Sequence, residues 1–394
     1  MPKIQFTVHA GPHARRNCPV QARLPYSGKK PPASVLLTAE NGSMLPAQVA
    51  LPAFSRGSAQ ADHFYIAFAL PELDAGKSLR FAAEPRDEPA GAGNAVTVSD
   101  DMSGRVDVSV NGELLTTYRY LGNPARPCFF PLLGPGGRRL TRSWPIADDV
   151  AGETKDHHHH RSLWVAHGDV NGTDNWSEGE RHAFQLHRKV IVAEGGLVYG
   201  QLAAATDWTD RDQKKILDEK RALTAWAIGG DARLFDFDVC FTATQCDVRF
   251  GDTKEGGILA MRIAPAMDGD HGGRIENSYG AVGEAECWGR RAHWCDYVGE
   301  IDGERLGIAI FDHPRSFRHP TYWHVRDYGM YTANPFGWHD FYDDPAVDGS
   351  HLLPRGASLS FHYRVYLHRG GTAEADVTGR YHDYANPPRV EVAA

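Results

Sequence analysis

The chain has 394 residues, 42% hydrophobic and 23% charged, with a formal charge of −8. Such a composition excludes a disordered chain and supplies a substantial core, and at this length two domains is the default. With no Lys or Arg run to follow a phosphate backbone, nucleic acid is not expected as a partner, and no apolar stretch approaches the roughly twenty residues of a membrane helix.

The first residues, MPKIQFTVHA, lack the apolar core of a signal peptide, so a cytoplasmic location is expected. Downstream, QFTVHA, SVLLTA, HFYIAFAL and SLRFAA are short apolar runs separated by turn residues, and they predict a small β-sandwich over residues 1–97. Residues 84–95, EPRDEPAGAGNA, have the Pro, Gly and Ala of a linker. Nothing in this first module looks catalytic.

Residues 98–394 read as one large all-β domain. RVDVSV, Asn111-Gly112 and ELLTTYRY form a two-residue hairpin, because Asn-Gly tolerates the positive φ angles of a type I′ turn. Further hairpins are predicted at Glu194-Gly195-Gly196 and Asp302-Gly303. LDEKRALTAWAI (217–228) alone could pass for a helix, with a long strand an equal reading. In RLFDFDVCF, Phe235, Phe237, Val239 and Phe241 share one face, which leaves Asp236 and Asp238 on a face expected to meet solvent. SLSFHYRVYLH alternates in the same way, and strand faces of this kind imply antiparallel sheet packed on sheet. The six cysteines contain no C-x-x-C pair and read as free, buried thiols.

Candidate chemistry concentrates in four stretches. Of the twenty histidines, seven fall between His157 and His187, within DHHHHRSLWVAHGDVNGTDNW (156–176) and just beyond it. On a strand, only two of His157 to His160 could face one cleft. His167-Gly168-Asp169 has the H-x-D spacing that, with a distant third histidine such as His324, builds a two-His-one-carboxylate face for a divalent metal ion. The stretch 312–337 interleaves His313, His319 and His324 with Arg315, Arg318 and Arg326, among Tyr322, Trp323, Tyr328 and Tyr331, and ends near Asn334. A polar, cationic and aromatic surface suits a sugar: aromatic faces pack on C–H patches, Arg binds hydroxyls or carboxylates in pairs, and His moves protons. FFPLLGPGGRRLTRSWP (129–145) places Arg142 after a tight turn. GDTKEGGILAMRI (251–263) places Glu255 on a glycine-flanked loop, as a candidate general base or as a salt-bridge partner of Lys254.

These stretches, with ECWGRRAHWCDYVG, together resemble the bacterial family labelled "methane oxygenase PmoA", also described as a domain of unknown function, over roughly residues 100–370. A particulate methane oxygenase subunit is a membrane protein and this chain has no membrane span, so the labelled activity is not carried over. The family is similar in architecture to the galactose-mutarotase-like supersandwich of aldose 1-epimerases, several polysaccharide lyases and some glycosidases. The resemblance implies a His acid on the ring oxygen and a Glu base on the anomeric hydroxyl, which maps to His160 or His167 and to Glu255, although the epimerases' own Glu motif has no match here.

The expectation is a carbohydrate epimerase or lyase acting on a small-molecule sugar without a cofactor, with His160, His167, Glu255 and His324 catalytic. Arg142, Arg161, Trp164, Asp169, Arg262, His313, His319, Trp323, Arg326 and Asn334 are the candidate sugar contacts. The alternatives are a metal-dependent oxygenase using His167, Asp169 and His324, and a non-catalytic sugar-binding protein. Each requires segments 156–169, 251–262 and 313–326 to converge on one concavity.

Overall fold

The computed structural model describes residues 3–28, 30–50, 62–91, 93–122 and 125–393. Ala92, inside the expected linker, lies outside the described residues. The architecture is all-β: a small N-terminal sandwich followed by a large antiparallel supersandwich.

Among the described residues the small sandwich packs a five-stranded sheet on a three-stranded one. Alternation places Phe6, Val8, Leu37 and Phe81 of the first sheet against Val20, Leu24, Phe64 and Ile66 of the second. Its membership departs from the expected split at both ends. Arg389–Val392 pairs antiparallel with Ile4–His9, Phe6 opposite Val392, so the last strand returns to the first module. Val96–Asp100 pairs with Arg105–Val110 and belongs to the large sandwich.

Among the described residues the large sandwich has a nine-stranded front sheet and an eight-stranded back sheet, with a two-stranded ribbon, Val248–Phe250 and His351–Leu353, packed into the same core. Val108, Phe129, Leu163 and Tyr331 from the front meet Leu223, Phe237, Ile308 and Val365 from the back in one core. Both two-residue hairpins form as the turn chemistry requires, with φ of 53° and 81° at Asn111 and Gly112 and of 51° and 78° at Asp302 and Gly303. A side chain at Gly112 would meet no neighbour, so Gly112→Ala tests backbone conformation alone. It is expected to lower stability by about 1 kcal/mol, read as a lower denaturant midpoint with unchanged slope.

Residues 217–228 resolve in favour of strand, as Lys215–Trp226. This strand is paired along both edges, with Tyr199–Thr209 and Arg233–Thr242, and ladder pairing outweighs the helical leaning of Leu, Glu and Lys.

Asp236 and Asp238 are not on an open face. The helix Val377–Ala385 lies over the back sheet, with the Tyr384 ring 4.5 Å from the Arg364 guanidinium. Beneath it Asp236 is bonded by Arg364 and by Trp226 Nε1 (2.9 Å), and Asp238 accepts from His362 Nδ1 at 2.6 Å. Burial raises the Asp238 carboxyl pKa despite that bond. Among the described residues no helix is long and apolar enough to cross a membrane. All six cysteines are free; Cys246 is exposed and Cys240 is partly covered, so four rather than six are buried.

Candidate functional site

Strand parity decides which side chains leave the core on the front sheet. Along Leu163–His167, Leu163 and Val165 point inward and Trp164 and Ala166 outward. His167 therefore falls on the inner side, with its ring 5.8 Å from Phe250 and 5.0 Å from Phe336. In Tyr322–Val325 the same rule turns Trp323 and Val325 inward and His324 outward. These strands become near neighbours only because Met330–Ala333 and Gly256–Arg262 are inserted between them in the sheet.

Over this outer face opens a cleft of about 580 Å³, within the usual range for small-molecule sites. His157, His159 and His160 line it together with Trp176 and Tyr328, and Glu255, Glu284, His324 and Arg326 supply further polar groups.

The histidine run is a turn rather than a strand: the His160 N–H donates to the His157 carbonyl at 2.9 Å. Three of the four imidazoles thus reach one cleft, where strand alternation would have allowed two. His157 sits at φ +43°, a left-handed conformation costly for a residue with a Cβ. Its ring stacks parallel to Tyr328 at 5.3 Å and to His160 at 4.8 Å, and His160 stacks on Trp164 at 5.3 Å.

Two buried arginines hold the turn. Arg142 donates to the carbonyls of Thr154 (3.2 Å) and His157 (3.0 Å) and to Asp156. Arg262 donates to both Asp156 oxygens (2.9 and 3.1 Å) and to His160 Nδ1 (3.2 Å). Asp156 also bonds His157 Nδ1 at 2.8 Å. Burial would raise the Asp156 carboxyl, but Arg262, His157 and Arg142 outweigh it and hold it below its usual range.

Hydrogen-bond partners fix the tautomers. Arginine only donates, so His160 accepts at Nδ1 and carries its proton on Nε2. His324 lies 2.8 Å from the Lys254 carbonyl through Nδ1, which must therefore be protonated, leaving the Nε2 lone pair free to act as a base. Burial lowers the His324 pKa to about 4 and the His159 pKa to about 3, and drives His160 well below the ordinary value with help from His159 and Arg262. These three rings are neutral at pH 7.

Of the residues singled out from sequence, the cleft brings together His160, Glu255, His324 and Arg326. Arg142, Arg161, Trp164 and Arg262 support it from behind, Arg161 through a two-pronged pair with Glu178. His167 is fully buried and donates to the Gly251 carbonyl (2.9 Å), and burial lowers its pKa to about 4. Asp169 lies past the strand end, so the i, i+2 rule does not apply; it accepts from the Gly172 N–H at 2.9 Å. Trp323 is core, bonded to the Ala292 carbonyl, and Asn334 ties down the carbonyls of Thr253 and Lys254. His313 and His319 lie outside the cleft, the latter bonded to the buried Asp312 at 2.8 Å. His167, Asp169 and His324 thus do not assemble, and among the described residues no three His, Cys, Asp or Glu side chains are placed to share a metal ion.

Sequence reasoning gave no role to Asp156, Trp176 or Glu284, and named His157 and Tyr328 only as members of a histidine run and of an aromatic surface, not as a stacked pair. Asp156, His157 and Trp176 stood inside the quoted motif, but a turn with positive φ at a histidine carries no composition signal.

Fold and cleft together define an all-β protein of two sandwiches, the larger carrying a cleft rich in neutral imidazole. A family model of unknown function, DUF6807, matches residues 105–382, and the chain belongs to that family. The expected unknown-function resemblance is met; the methane-oxygenase label is not part of the match. No curated protein matches the chain. Two solved structures from Enterococcus faecalis, one described as a protein in glycosyl hydrolase family 38 and one as an alpha-mannosidase from strain V583, are each 10% identical, with TM-scores of 0.45 and 0.47. The alignments cover 100% of this chain but 47% and 46% of theirs, so it spans just under half their length.

Proposed function

We propose that the protein is a carbohydrate-active enzyme of epimerase or lyase type that works by acid–base chemistry without a cofactor. One observation carries the reading: the cleft gathers His324, with its lone pair fixed on Nε2, the half-exposed carboxylate of Glu255 and the stacked rings of Tyr328, His157 and His160. Stacked faces suit the C–H side of a sugar ring, and a positioned imidazole and carboxylate are proton-transfer groups. His324 is the base in this reading. Glu255 and the Asp156-held His157 are the groups able to complete the proton circuit. The Lys254 ammonium, 3.4 Å from Asp340 and 3.9 Å from Glu255, is the nearest rival claim on the Glu255 carboxylate.

Aldoses, glycosides and uronides followed by NMR test this directly, because epimerisation changes anomeric signals and elimination creates alkene signals. Silence across the panel would sink the proposal. On an accepted substrate, His324→Gln is expected to lower kcat at least a hundredfold, about 2.7 kcal/mol in barrier, with KM little changed. The acid limb of kcat/KM is expected near pH 4, where His324 protonates, rather than near 6.5.

A non-catalytic sugar-binding role is the second reading, favoured by the neutrality of His159, His160 and His324, which leaves none of them a charged acid at pH 7. Tight binding with no turnover in the wild-type protein would select it.

A further inference from the structure

We infer that the cleft accepts a sugar bearing no anionic group and discriminates against uronates and sugar phosphates; this rests on the carbohydrate reading above and narrows it to the epimerase branch, since elimination by acid–base chemistry draws on the acidic C–H beside a uronate carboxyl. The sequence offered an arginine-rich surface suited to a carboxylate, but the folded protein commits those arginines elsewhere. Arg142 and Arg262 are 0% and 1% exposed; Asp156, His160 and nearby carbonyls take up most of their donors, with Arg262 Nε buried and unpartnered. Arg161 is held two-pronged by Glu178. None of the three lines the cleft.

Two cationic side chains that do line it are also engaged. Arg326 donates to Glu284 at 2.6 Å while its guanidinium lies 4.7 Å from the Trp288 ring. Lys254 sits between Asp340 and Glu255. Against Lys254 and Arg326 stand the carboxylates of Asp174, Glu255 and Glu284. The imidazoles His159, His160 and His324 add no charge at neutral pH. A carboxylate or phosphate entering this cleft would lose its hydration with no uncommitted Lys or Arg among the described residues of the cleft wall to replace it. A hydroxylated ring needs no such partner and still gains the stacked faces and the imidazole and carboxylate hydrogen bonds.

The experiment compares matched pairs that differ only at C6: methyl glucoside, galactoside and mannoside against the corresponding methyl uronides and 6-phosphates, by calorimetry or competition NMR. At least tenfold weaker binding of every anionic member is expected. Glu284→Gln, which releases Arg326, is expected to narrow that gap by improving uronide affinity, with folding checked by its melting temperature. An anionic member that binds as well as its neutral partner overturns the inference while leaving the carbohydrate reading intact. Absence of binding by either member of every pair overturns both.

Discussion

Lowering the pH from 7 towards 4 is expected to destabilise the protein by several kcal/mol, with the loss beginning below about pH 6.5. The cause is imidazoles that burial keeps neutral, three of them almost wholly enclosed, with His159, His187 and His313 lowered in the same direction. His160, His167 and His324 are 2%, 0% and 4% exposed, and burial holds their folded pKa values down, to about 4 for His167 and His324 and well below the ordinary value for His160. Once unfolded, each titrates near the ordinary 6.5 or so. Between those values the unfolded chain binds more protons than the folded one, so unfolding is favoured as pH falls. Each of His167 and His324 contributes at most about 3 kcal/mol over this window, from 1.36 kcal/mol per pKa unit.

Some groups oppose the trend. Burial raises the Asp238 and Asp312 carboxyls, so they take up protons in the folded state first, and His368, raised by Asp296, favours the fold in acid. Urea midpoints at half-unit steps from pH 7 to 4.5 read the balance. A flat profile would contradict it, and His324→Gln is expected to make the slope shallower.

Asp156→Ala is expected to be the most damaging single change near the cleft, costing about 3 kcal/mol of stability and displacing the His157 turn. Two buried guanidiniums share this one carboxylate, 2.9 Å from Arg262 and also bonded to Arg142. Removing it leaves both without their common counter-charge. The side chain is about one-third exposed, so water softens the loss, which places the estimate at the low end of the range for broken buried pairs. Asp156→Asn keeps acceptor and shape and is expected to lose less. Thermal melts of the two variants check the order, and Asp156→Ala melting like the wild type would remove the proposed clamp.

The small sandwich, the Asn111-Gly112 and Asp302-Gly303 turns, and the inward faces of Arg233–Thr242 and Ser358–Arg369 were legible in the sequence. Each depends on alternation or turn chemistry within about ten residues. The cleft was half legible. His160, Glu255, His324 and Arg326 could be singled out because they stand in His- and Arg-rich or glycine-flanked stretches that a plain scaffold does not need. The wrong members of the set failed for identifiable reasons. His167 was judged by spacing to Asp169, yet its parity along Leu163–His167 turns it inward. His313 and His319 were grouped with His324 by proximity in the chain, but the strand Tyr322–Val325 begins after them and carries only His324 to the cleft.

The chain by itself therefore determined the all-β class, the hairpin turns and the chemical character of the segments that meet at the cleft, because strand period and turn conformation are local properties. Only the tertiary structure decided which histidines meet. That choice follows from long-range ladder pairing, which inserts Gly256–Arg262 and Met330–Ala333 between Leu163–His167 and Tyr322–Val325, and from Asp156, whose two arginine partners stand 14 residues before it and 106 after it. No local pattern encodes such pairings, since their energy arises only when distant segments are desolvated together.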